Sequence, residues 1–307
     1  MNKATLGVAI VAVAGAAYVG ANYYANQQVD LQVAKQVSNF EKDTGFQVSY
    51  ADSSVDLFTS AVEINDITVT DPNNNSALFT VDKVHVVGYE PDKISPYTEF
   101  DLMGLKLSEQ AAAMADSVSP ELMQATYNIN TSLSFDEQSG DSEFKFATTA
   151  GDILSTSMDV ALGNSKALMT ASLEASKMPA EQMTMEQELQ LQTKMMQAMQ
   201  SLELQSFHFT VNNQGKLAEL LEGELAHQGM SKADFEAALE QQFNAMMLPE
   251  EIKTAFKDFA AGMQSLNVSI TATEKQSVMA LGQQLAMGMQ SNPEMLSELL
   301  EIEASGK

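Results

Sequence analysis

Lys3 is followed by an uncharged run that lasts from Ala4 to Val29 and ends at Asp30. Its apolar heart, ATLGVAIVAVAGAAYVGA, spans Ala4 to Ala21. Wound as a helix, this stretch is roughly 27 Å long, close to the thickness of a bilayer's hydrocarbon core. Tyr18, Tyr23 and Tyr24 stand where interfacial aromatics are expected. Lys3 is the basic residue of this end, so it predicts a cytoplasmic N-terminus and a chain that lies beyond the membrane after Asp30. Two other readings compete. Val19-Gly20-Ala21 offers the small residues of a signal-peptide cleavage site, and a helix buried in a soluble core would also lack a polar face. The anchor is favoured because the helical pattern runs on: Val29, Val33 and Val37 recur every four residues, with Phe40 three further.

The residue inventory then limits the chemistry. Among 307 residues the 16 basic ones are all lysine, against 41 acids, and there is no cysteine. Without cysteine there is no disulfide, thiol nucleophile or Cys-ligated zinc or iron–sulfur site. Without arginine there is no bidentate clamp for phosphate or carboxylate. A formal charge of −25 opposes nucleic-acid binding, which draws on basic residues that replace phosphate counterions. The hydrophobic fraction of 45% is that of a globular chain.

Past the anchor the pattern predicts an α+β fold: an N-terminal transmembrane helix, then a curved antiparallel β-sheet with one apolar face, packed against amphipathic C-terminal helices. Residues 1–26 form the anchor (or uncleaved signal), 27–175 a mainly β region, and 176–307 a mainly helical region whose two further strands join the sheet. A short helix is expected from about Gln27 to Lys42. Phe46, Val48 and Tyr50 alternate with polar residues as a half-buried strand does. Val62 and Ile64 share one parity and Ile67 and Val69 the other, so Asn65-Asp66 marks a bulge or sharp bend. Turn chemistry at Asp71 to Asn75 leads to β runs over Leu78–Tyr89 and Phe100–Leu107. Ser108 to Thr126 reads as helix, restarted by the cap Ser119 and by Pro120.

Strands return with Ile129, Thr131, Leu133 and Phe135 on one face, a hairpin at Asp136 to Asp141, then Phe144 and Phe146. Asp152 to Gly163 continues with Leu154, Met158, Val160 and Leu162 on one side. From Ser176 helices dominate, broken by the strands Ser206–Val211, with Phe207, Phe209 and Val211 inward, and LNVSITAT. Leu217 and Leu220 mark one helix, a cap at Ser231 with Asp234 opens a second, and Pro249 with Ile252, Phe256 and Phe259 a third. The chain is expected to end in helix, broken at Ser291-Asn292-Pro293. A faint strand-to-helix similarity links FTVNNQGKLAELL with ITATEKQSVMALG.

Met185, Leu189, Met196 and Met199 recur at helical spacing and are expected to fill the core face of a helix, ahead of a thioether copper site or an adaptable binding surface. His85, His208 and His227 are isolated, without metal-ligand spacing. No GxSxG elbow, P-loop or GxGxxG is present, and Asp136 to Asp141 lacks the dense spacing of a calcium loop. Neither cofactor nor metal is expected, and catalytic residues are assigned to none. The candidate functional surface is the apolar sheet face of Ile129, Leu133, Phe135, Phe144, Phe146 and Leu154, which either binds a hydrophobic ligand or receives the helices.

The run GAAYVGANYYANQQVD followed by GFQVSYADSSVDLFTSAVEINDITVTDP, with the late unit NVSITATEKQSVMALGQQLAMGM, resembles the YdgA-like family of bacterial envelope proteins and the wider AsmA-like group. That resemblance implies a single-pass protein of the bacterial inner membrane with its bulk in the periplasm. It brings no catalytic residues, and AsmA-like relatives imply lipid handling in envelope homeostasis. The expected function is therefore non-enzymatic. The protein would bind lipid or another hydrophobic ligand, or alternatively act as a scaffold for an envelope protein partner. A hydrolase is the weakest reading, since it would need a cleft joining one histidine to a serine and an acid.

Overall fold

The computed structural model describes residues 34, 37–38, 40–42, 44–56, 61–88, 90, 93–109, 111, 119–177, 184–245, 248–291 and 298–307. The expected membrane anchor lies outside these residues. Among them no helix is long and apolar enough to cross a membrane.

The fold is α+β, built on one open antiparallel sheet. Its described strands are β1 (Gln47–Ser49), β2 (Asp52–Asp56), β3 (Ala61–Asp71), β4 (Ser76–Val87), β5 (Tyr97–Leu107), β6 (Tyr127–Phe135), β7 (Ser142–Ala150), β8 (Leu154–Gly163), β9 (Glu203–Asn213), β10 (Ser265–Ala272) and β11 (Leu300–Gly306). From β3 onward each strand pairs with the next in sequence, a pure meander, while β1 and β2 share the outer edge of β3. Helices fill the connections: α1 (Pro120–Gln124), α2 (Lys166–Ser176), α3 (Met185–Ser201), α4 (Leu217–His227), α5 (Lys232–Ala245), α6 (Glu250–Gly262) and α7 (Val278–Ser291).

Local chemistry explains most boundaries. Asp71 accepts the Asn73 backbone N–H at 2.9 Å, and Asn75 takes the left-handed φ of 55° that closes the β3–β4 hairpin. Ser119 caps α1 by accepting the Leu122 N–H at 3.3 Å, with Pro120 at the first helical position. Ser231 and Asp234 form a reciprocal capping box at the start of α5. Met263 ends α6 in the left-handed region at φ 51°.

The slip at Asn65-Asp66 is real: Asp66 has φ 52°. It is one point on a line that crosses three strands. Ile64 and Ile67, Val81 and Val84, and Leu102 and Leu105 are all buried although each pair is three residues apart. Inward parity therefore changes at the same level on β3, β4 and β5, and both flanks feed one core with Val62, Val69, Leu78, Phe79 and Val86. Phe40, from the helical residues between 37 and 44, packs on that core.

Two elements lie beyond what the sequence pattern marked, and two expectations need correction. DSSVD forms β2, whose polar residues hid a strand that the backbone of β3 recruits. Lys166–Ser176 is helix inside the stretch expected to be mainly β. The chain ends in β11, not helix, with Leu300, Ile302 and Ala304 inward and Glu301, Glu303 and Ser305 outward. The methionine stripe of α3 does not fill a core. Met185 is 87% and Met196 60% exposed, while Leu191, Met195 and Ala198 turn inward.

Candidate hydrophobic-ligand face

In an antiparallel sheet, residues paired across strands point to the same face. The register carries apolar rows straight across the sheet. One runs Val62, Val86, Phe100, Thr131, Phe146, Met158, Phe209, Val268 and Ala304 from β3 to β11. Beside it lies Thr98, Leu133, Phe144, Val160, Phe207, Ile270 and Ile302. The opposite face is polar, with Asn130, Lys145, Asp159, His208, Ser269 and Glu303 at intervening positions.

Cover over the apolar face is uneven. At the β3–β5 side it is sealed by the core that includes Phe40. On the far side α6 lies on β10 and β11, packing Ile252, Ala255, Phe256 and Phe259 against Leu266, Val268, Phe209 and Ile302. Its approach is tight, since a Cβ on Gly306 would overlap the backbone of Ala255 and Phe259. At one strand end Leu122, Leu217 and Leu220 pack around Ala150, Ile153 and Leu154. At the other, α2 brings Leu168, Met169 and Leu173 near Leu133 and Ile94 around a cleft of about 300 Å³.

Between these four borders lies a trough that no described helix covers. Leu133, Phe144, Phe146, Met158, Val160 and Phe207 are half-buried and belong to none of the buried clusters among the described residues. No described helix packs extensively on β6, β7 or β8. All six residues picked from sequence lie on this face, but their roles divide. Leu133, Phe144 and Phe146 line the trough floor. Ile129 packs toward the β3–β5 core, Leu154 toward the strand-end cluster, and Phe135 is buried. Met158, Val160 and Phe207 complete the floor. Their period of two was visible in sequence, but the adjacency of β8 and β9 across two intervening helices was not.

The polar face holds a hydrogen-bonded chain. Lys83 pairs with Glu63 at 2.9 Å, and His85 Nδ1 is 3.3 Å from Asp101 Oδ2. Asn130 donates to both Asp101, at 2.5 Å, and Glu99, at 2.9 Å, while the Tyr97 hydroxyl donates to Glu99 at 2.8 Å. The Lys83 ammonium, with smaller help from Asn65 and His85, holds the Glu63 carboxyl below its ordinary value. Hydrogen bonding to Glu99 pushes the Tyr97 phenol up. The three histidines sit apart, His85 on β4, His208 on β9 and His227 at the end of α4. His208 stands in register between Asp159 and Ser269, with no side-chain hydrogen bond joining the three. Among the described residues no group of histidine or acidic side chains is placed to hold a metal.

No curated protein matches the chain. A family described as "Uncharacterized protein" matches residues 147–307, from the end of β7 through the trough strands β8 and β9 to the edge strand β11. That span is more than half of the 307 residues, and the chain therefore belongs to this family.

Proposed function

We propose that this chain is a non-enzymatic, membrane-anchored envelope protein whose trough holds a hydrophobic ligand, an acyl chain being the best fit. The observation that carries this reading is the apolar stretch of β6 to β9 that no described helix covers, bounded by the β3–β5 core on one side and by α6 on the other. Three to four strands at about 4.8 Å spacing make a floor roughly 15–20 Å across, enough for one or two extended hydrocarbon chains. Soluble proteins rarely leave such a contiguous apolar surface open unless something occupies it.

In the same reading the apolar run from Ala4 to Ala21 anchors the chain in a bacterial inner membrane and leaves the sheet in the periplasm. The layout of a curved, one-sided sheet behind an anchor supports kinship with YdgA-like and AsmA-like envelope proteins. The ligand is uncharged or zwitterionic at its exposed end, because a chain of formal charge −25 repels anions. Organic extraction of the purified protein followed by mass spectrometry tests the assignment. Stoichiometric lipid that disappears in Phe146→Glu supports it. Extracts no richer than those of an unrelated protein purified identically overturn it.

A further inference from the structure

Helix α3 carries two apolar stripes, and the fold uses one of them. Leu191, Met195 and Ala198 turn inward, α2 packs alongside, and Lys194 bridges to Glu174 of α2 at 2.6 Å. About a third of a turn away stand Met185, Leu189, Gln192, Met196 and Met199, every one exposed. Their successive gaps of 4, 3, 4 and 3 residues are those of the a/d seam of a coiled coil. A stripe required only to lie on this protein has no reason to keep that spacing on the side facing away.

We propose that this seam is the contact through which two copies of the chain pair, their α3 helices parallel and in register. The central Gln192 decides the arrangement. In parallel register it meets its own counterpart, and two primary amides satisfy each other, as a polar seam residue does when it fixes register. Antiparallel pairing would set Gln192 against Leu189 or Met196 and leave its amide without a partner. The flanks agree. Five positions apart across a parallel pair, Glu188 faces Thr193, so this flank sets no like charges together. The acidic first turn, Glu186 and Glu188, disfavours an anionic bilayer as the occupant.

So short a seam falls below the roughly 1,000 Å² of a stable interface, and each copy carries a charge of −25. The pair is therefore weak, and added salt strengthens it.

The absence of cysteine makes the test direct. Single-cysteine versions of the full chain, Met185→Cys, Gln192→Cys, Met199→Cys and the off-seam Gln190→Cys, are oxidised in mild detergent and run without reductant. Each seam variant is expected to cross-link to itself at least fivefold above Gln190→Cys. Adding Leu189→Lys and Met196→Lys should return Gln192→Cys to the control level with the far-ultraviolet circular dichroism unchanged. Seam variants no better than Gln190→Cys overturn the proposal. So does Met185→Cys that cross-links to Met196→Cys in a mixture but not to itself, because that pattern is antiparallel. Cross-links abolished by phospholipid vesicles would reassign the stripe to a membrane surface.

Discussion

The carboxylate of Asp82, on β4, lies over the Cα of Gly104 on β5, in the space that a Cβ there would occupy. Gly104 also has φ 70°, and its N–H donates to the Asn128 side-chain carbonyl at 2.9 Å. This pair sits on the line where inward parity changes, so it lets buried residues on both sides serve one core. Gly104→Ala should lose on the order of 2 kcal/mol, from left-handed strain together with collision against Asp82. Gly104→Ala combined with Asp82→Gly should recover the collision and leave the strain, about 1 kcal/mol. A double-mutant cycle by urea unfolding checks this, and strict additivity would refute the contact.

Trough floor and core should respond oppositely to substitution. Phe79 is 1% exposed within the β3–β5 core, and Phe79→Ala should cost about 3–5 kcal/mol. Met158 is half-buried on the floor, so Met158→Glu should cost about 1 kcal/mol or less while abolishing capture of hydrophobic ligand. Unfolding curves and ligand content measured on the same preparations separate the two effects.

The wall of the trough hangs on Gly306. A Cβ there would meet the Ala255 carbonyl and the Phe259 backbone nitrogen, neither of which can swing aside as a side chain could. Gly306→Ala should cost about 1–3 kcal/mol by overpacking. Amide exchange should quicken in α6 and β11 and stay unchanged in β3 and β4.

Acid should weaken the polar face at a defined place. The carboxyl of Glu63 is held below its ordinary value, chiefly by the Lys83 hydrogen bond. Its contribution to stability is complete above the ordinary glutamate value and fades as pH falls through the lowered one. Lys83→Met removes that cause, so its unfolding midpoint should fall less steeply than that of the unaltered protein between about pH 5 and pH 3. Parallel acid limbs would show that the pair contributes nothing.

What sequence could reveal follows the physics of each segment. The parity slip at Asn65-Asp66 was legible because buried side chains alternate strictly along a strand, and any change of parity demands a bulge. β11 was equally written in Leu300, Ile302 and Ala304 against Glu301, Glu303 and Ser305, but the helical leucine and glutamate pattern before it obscured the change of period. Spacing identified α3 as a helix, yet it could not tell which of two stripes faces in. Ala198, small and 3% exposed, marks the packed side. The floor residues Leu133, Phe144 and Phe146 could be placed on one face by their period of two. Whether a helix covers that face depends on where α6 docks, and close approach at Gly306 decides it.

Hydrocarbon binding on the stretch of β6 to β9 that no described helix covers is open to direct measurement. Titration of the full chain with a fluorescent long-chain monoacylglycerol, which carries no charge, beside Phe144→Glu and Phe146→Glu, tests it most directly. Saturable binding near one equivalent, weakened at least tenfold by either substitution while the fold persists, is the predicted result. Binding that is absent, or that both variants retain unchanged, would contradict the account.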